Sequence, residues 1–183
     1  MKFFLDIDGV MVHANPHRQV ELEDDGFYKF NSVAVRILSS IIRKTKDELI
    51  LSTSHRHKYN LDEWKEIFES RGIRAKFISI IEISHHPKVT RKLEIERWIY
   101  KNHYESDEVV IIDDDKSLNE LPKYLKQRLV LTNSYIGLNY EAEIKIKILR
   151  KRKKISEDIK RLEKEIEDLK LENESLKFKL FSK

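Results

Sequence analysis

Two carboxylates, Asp6 and Asp8, stand one residue apart where the apolar run KFFLDI ends, and Gly9 follows at once. A second acidic cluster, Asp113-Asp114-Asp115, closes another apolar run, EVVII. Alone, Asp-x-Asp-Gly is an ordinary strand-ending turn. Two acidic clusters at the ends of two strands say more, because in an open parallel sheet the carboxyl ends of the strands line one crevice. Acids gathered there repel one another, and a hard divalent cation with oxygen ligands relieves the repulsion. Mg²⁺ suits the pattern, since it takes one or two carboxylates and leaves room for water and a phosphate oxygen. The chemistry this points to is phosphoryl transfer. A carboxylate ionised at neutral pH can attack phosphorus, and an acid one residue away can carry the proton that the leaving oxygen needs.

Two further segments supply what such a site lacks. LSTSHRHKYN follows a third apolar run, and there Thr53 or Ser54 can hydrogen-bond a phosphate oxygen while Arg56 adds a charge-assisted contact. HHPKVTRKLEIERW follows a fourth, and Lys92, near the start of a helix, can hold charge that builds on the transferring group; Lys88 is its rival. Each has a plainer reading, as a helix cap or a solvated helix face. The histidines His13, His17, His55 and His57 are read in the same double way, as positive charge for a nucleic-acid phosphate or as scattered surface residues.

These segments need a sheet to bring them together. Short apolar runs at 2–7, 48–53, 75–80, 108–113 and 128–132 alternate with helical patterns at 32–45, 61–71, 90–101 and briefly after Asp115. That alternation predicts a three-layer, Rossmann-like α/β domain with a parallel sheet. Residues 10–31 break the pattern with Pro16 and the turn signal Asp25-Gly26, and predict a β-hairpin flap over the end of the first strand.

The order strand-DxDG, strand-Ser/Thr, Lys-helix, strand-DD resembles the haloacid dehalogenase (HAD) superfamily of phosphatases over about residues 1–135. The resemblance implies that Asp6 is the nucleophile and forms an aspartyl-phosphate, and that Asp8 is the general acid and base. It implies that Thr53, or Ser54, is the second-motif hydroxyl and that Lys92, or Lys88, is the third-motif lysine. Mg²⁺ would be held by Asp6, the backbone carbonyl of Asp8 and Asp114, with Asp113 in support. Val10 stands where many members have Thr. No gap between motifs has room for a separate cap domain, and capless members leave an open crevice that often serves large substrates. Ser54-His55-Arg56 is also similar to the Ser-x-Arg second motif of polynucleotide end-repair phosphatases, which makes a nucleic-acid end a candidate substrate.

The domain is expected over 1–138, with a long helix over 139–183. From Glu141 onward there is no Gly or Pro, and Ile155, Ile159, Leu162, Ile166, Leu169, Leu176 and Leu180 fall at alternating four- and three-residue spacing, with Asn173 in the one missing place. Such a heptad over about 155–180 predicts a parallel two-stranded coiled coil and hence a homodimer; a helix folded back on its own domain is the alternative. A net charge of +4, with 36 basic and 32 acidic residues interspersed, does not by itself argue for nucleic acid. The absence of Cys removes disulfides, thiolate metal sites and a Cys nucleophile. With no secretory leader or apolar span in view, a cytoplasmic protein without membrane contact is expected. A non-enzymatic rival also stands: a dimeric scaffold or regulatory protein that uses the same fold for interaction.

Overall fold

In the computed structural model, which describes residues 1–82 and 89–181 and side chains as far as 178, each of the five apolar runs contains a strand. These are β1 (Lys2–Leu5), β2 (Glu48–Leu51), β3 (Phe77–Ile80), β4 (Val109–Asp113) and β5 (Leu129–Leu131). All neighbours are parallel, in the order β3-β2-β1-β4-β5. Strands covered on both faces read as unbroken apolar runs, and that is why they were visible in the sequence.

Side chains alternate between two cores. Phe3, Leu5, Leu49, Leu51, Val110 and Ile112 face one layer, which holds α1 (Ser32–Ile41), α2 (Leu61–Ser70) and the first turns of α5 (Tyr140–Phe181). Phe4, Ile50, Val109, Ile111 and Leu129 face the other, which holds α3 (Arg91–Lys101) and α4 (Lys123–Lys126). The domain extends past the expected boundary at 138: Ala142, Ile146 and Leu149 are buried in the first core, and the compact unit spans Met1–Leu149. A second unit covers Arg150–Lys183. No helix among the described residues is long and apolar enough to cross a membrane.

Local signals fix the helix starts. Asn60 caps α2 by accepting from Asp62 and Glu63, and the Glu63 carboxylate accepts from the Asn60 N–H in return, a closed capping box. Thr90 caps α3 and so fixes where its first residue, Arg91, begins.

The flap is looser than a regular β-hairpin. It turns at Asp25-Gly26, is closed by Glu23 N–H to Phe27 C=O and Lys29 N–H to Glu21 C=O, and has one bridge, Leu22 to Tyr28. Aromatic packing and a cation hold it in place. Phe27 is buried against Tyr28, Phe30, His55, Tyr59 and Trp64, and Arg71 forks onto both oxygens of Asp25 at 2.7 and 2.9 Å while donating to the Tyr28 carbonyl.

Candidate active site

The sheet order decides the site. β1 lies between β2 and β4, so the residues just past all three strand ends are neighbours. Asp6 follows β1 and still pairs through its N–H to the Ile112 carbonyl at 3.1 Å; Asp113 is the last residue of β4. Asp6, Asp113 and Asp114 each offer an oxygen, and these oxygens lie within 4.8 Å of one another.

A tight coil after Asp6 makes room for Asp114. Met11 and Val12 donate to the Ile7 carbonyl at 2.8 and 3.1 Å. Gly9 has φ +67°, and a Cβ there would sit 2.1 Å from Asp114 Oδ2, so the position requires glycine for both conformation and space. Thr132, just beyond β5, donates from Oγ1 to the Gly9 carbonyl at 2.7 Å and fastens the coil from the other side.

The cation on the acids is Arg91. Its Nη1 lies 3.0 Å from Asp113 Oδ2 and 3.4 Å from Asp6 Oδ1. Lys92, the expected cation, stands one residue further along α3 and makes no ion pair with any described residue; its rival Lys88 lies outside the described residues. Arg91 is the residue that sequence reasoning passed over. The available signal was its place as the first helical residue after the Thr90 cap.

Burial dominates the titration of the buried acids. It pushes Asp6 up from the usual carboxylate range, with Arg91 opposing. Burial, then the neighbouring Asp6 charge, pushes Asp113 up to about 7 against the pull of Arg91. Burial also works against the charge of Arg91, but Asp6 and Asp113 outweigh it and hold its pKa above the usual value.

Asp8 points to the flap side. Its Oδ2 lies 2.8 Å from His55 Nε2, and the His55 ring stands edge-on to Phe27 and Tyr28, with centroids 5.7 and 5.1 Å away. His55 is therefore no scattered surface residue: its side chain is 12% exposed and tied to Asp8. Thr53 is fully buried, caps the 3-10 turn Ser54–His57 and accepts from the His55 N–H at 3.3 Å; Ser54 is exposed. Ser52, immediately past β2, has a buried hydroxyl without a hydrogen-bond partner among the described residues.

Arg56 is turned inward. It donates to the carbonyls of Ser52 and Thr53 at 3.2 and 2.9 Å and to Glu94 Oε1 at 2.7 Å. Burial lowers its pKa against the pull of Glu94. In this position Arg56 ties the 3-10 turn to α3, the helix that carries Arg91.

An open cleft of about 720 Å³ is lined by Asp114 together with Lys116, Asn133, Tyr135, Asn139 and Lys145.

The family model described as "HAD domain in Swiss Army Knife RNA repair proteins" matches residues 3–142. The chain belongs to this family. A search of curated proteins finds no match. The matched span holds Asp6, Asp8, Thr53, His55, Arg56, Arg91, Asp113 and Asp114, and ends in the first turn of α5, short of Lys145. HAD membership accounts for the parallel Rossmann-like sheet and supports a phosphatase-like role in an RNA-repair setting. HAD domains generally use Mg²⁺, and this site fits one: Asp6 Oδ1 is buried and finds no hydrogen bond of good geometry among the described residues, and it sits with Asp113 and Asp114 in a cluster that a divalent cation would neutralise.

Proposed function

We propose that this HAD domain is a Mg²⁺-dependent phosphomonoesterase that works through an aspartyl-phosphate on Asp6. The observation that carries the reading is the convergence of Asp6, Asp113 and Asp114 within 4.8 Å, with Arg91 across them. Asp6, Asp113 and Asp114, with the backbone carbonyl of Asp8, would hold the cation. When bound, Mg²⁺ supplies positive charge that draws phosphate oxygens in and offsets charge on the reacting group.

A carboxylate oxygen of Asp6 attacks phosphorus as the bond to the leaving oxygen breaks, and Asp8 gives that oxygen a proton. Asp8 then takes a proton from water, whose oxygen attacks phosphorus, releases inorganic phosphate and restores Asp6. His55, bonded to Asp8, holds its carboxyl on the flap side, and Arg91 holds the Asp6 carboxylate in place and offsets charge in the transition state. The Thr53 hydroxyl, buried in the turn after β2, would donate to a phosphate oxygen that reaches it; Ser54, exposed on the same turn, is its alternative, and Lys92 or Lys88 remains a second source of positive charge.

For substrate we propose a phosphorylated nucleic-acid end, RNA above all. The family description supports it, as does the uncapped cleft with Lys116 and Lys145 on its walls and an exposed Tyr135 ring. A crevice that cannot enclose a small molecule gains little binding energy from one, whereas a strand lying along it adds remote contacts. The scaffold reading leaves the buried, mutually repelling acids without a purpose. The test is a phosphatase screen with and without Mg²⁺ over nucleotides, sugar phosphates, phosphopeptides and 3′- or 5′-phosphorylated oligonucleotides. Mg²⁺-dependent release of phosphate by the wild type and none by Asp6→Asn is the expected outcome; no release from any substrate would favour the scaffold.

A further inference from the structure

We infer that the helix beyond Arg150 is a self-complementary surface that pairs two copies of this chain in parallel and in register. The inference is independent of the phosphatase reading. Residues 150–181 continue α5 as a unit of their own. Along it Ile155, Ile159, Leu162, Ile166, Leu169 and Leu176 form one stripe at heptad spacing, each between 48% and 58% exposed. A helix draws most of its stability from packing such a face, so a stripe this long calls for an occupant.

The charges beside the stripe say which occupant. With Ile159, Ile166 and Asn173 at a, and Ile155, Leu162, Leu169 and Leu176 at d, Glu165 and Glu172 fall at g while Lys170 and Lys177 fall at e. In a parallel pair, each g residue meets the e residue of the next heptad on the other chain, giving Glu165 to Lys170 and Glu172 to Lys177 on both sides. An antiparallel pair would set g against g and e against e, Glu on Glu and Lys on Lys. One chain therefore carries both halves of the match, as a second copy requires. Within one helix Glu165 and Lys170 are five residues apart, and the pairs that do form there are others, such as Asp158 with Arg161 at 3.0 Å and Glu167 with Lys170 at 3.9 Å.

Asn173 fixes the register. A lone amide in an apolar seam loses its hydrogen bonds to water, and only the unshifted parallel pairing sets Asn173 against Asn173, where each amide satisfies the other. Two unrelated features, the flanking charges and the seam amide, thus select one arrangement. Asp158 opposite Glu163 weakens the first heptad, so association should depend on concentration.

The test uses the full chain. Light scattering over a dilution series is expected to give a particle of two 22.0 kDa chains at high concentration. The variant E165K/E172K, and separately K170E/K177E, should dissociate about tenfold or more readily, and mixing the two should restore pairing. Leu169→Cys, in a chain without native cysteine, should form a disulfide-linked dimer under mild oxidant, because parallel register sets 169 against 169. A monomer at every concentration overturns the inference. So does a dimer that ignores both charge reversals, or one in which Leu169→Cys does not cross-link while Leu169→Ser shows that position to be in the seam.

Discussion

Replacing Arg91 with Ala separates the account of the site from a generic acidic pocket. Arg91 Nη1 lies 3.0 Å from Asp113 and 3.4 Å from Asp6, and its side chain is 17% exposed. At an effective dielectric near 20, each such pair is worth on the order of 5 kcal/mol of attraction before desolvation. Removing one partner of a buried charge cluster typically costs about 3–5 kcal/mol, unless the remaining groups take up protons. Here they can. Burial already raises both acids, Asp113 to about 7, and loss of the guanidinium raises them further. An acid whose folded pKa lies above its unfolded value binds more protons in the folded state, so folding loses stability as pH rises through that window. Metal-free Arg91→Ala should therefore be destabilised more at pH 8 than at pH 6, by roughly 6–12 °C in Tm for a 3 kcal/mol loss. Added Mg²⁺ should return part of that, and kcat should fall roughly 10²- to 10³-fold. Calorimetry at the two pH values with and without Mg²⁺, beside steady-state kinetics, reads all of it. An equal Tm loss at both pH values with unchanged turnover would refute the reasoning, and a large kinetic effect from Lys92→Ala instead would move the catalytic charge to that residue.

Gly9→Ala places a methyl group 2.1 Å from Asp114 Oδ2 at a backbone φ of +67°, so it should cost about 1–3 kcal/mol of stability and, by displacing Asp114, weaken Mg²⁺ binding at least tenfold by calorimetric titration; unchanged affinity would remove Asp114 from the ligand set. Because Asp113 holds its proton up to about pH 7, Mg²⁺ should bind more weakly below that pH and release protons on binding near pH 6; heats that do not vary with the ionisation enthalpy of the buffer would contradict this. A phosphorylated oligonucleotide should show higher kcat/KM than a mononucleotide, and the double variant K116E/K145E should narrow that gap while leaving the mononucleotide rate within about twofold; the reverse ranking would point to small metabolites.

Much of this was legible in the chain because it is local. Five apolar runs marked five strands, and two acidic clusters at strand ends had to meet once the strands were parallel neighbours. What escaped depends on contacts between residues far apart in sequence. His55 meets Asp8 across 47 positions because Phe27 and Tyr28 of the flap wall in its ring, and no spacing rule announces that. Arg56, which looks like a phosphate ligand in SHRH, is drawn inward by Glu94, 38 residues away. Arg91 and Lys92 are adjacent cations on one helix turn, and only the direction of the first turn of α3 decides which reaches the acids. The flap carries a correct turn signal in Asp25-Gly26, but side-chain packing holds it where a ladder was expected.

In the proposed mechanism the carboxylate of Asp6 becomes phosphorylated during turnover. Rapid quenching of the wild-type protein with Mg²⁺ and an oligonucleotide labelled in its terminal phosphate, followed by peptide mapping, measures it directly. Acid-stable, hydroxylamine-labile label is expected on the peptide containing Asp6, forming and decaying at rates that match turnover, and none in Asp6→Asn. Turnover by Asp6→Asn within tenfold of the wild type, or label that rises with turnover on any other residue, would contradict it.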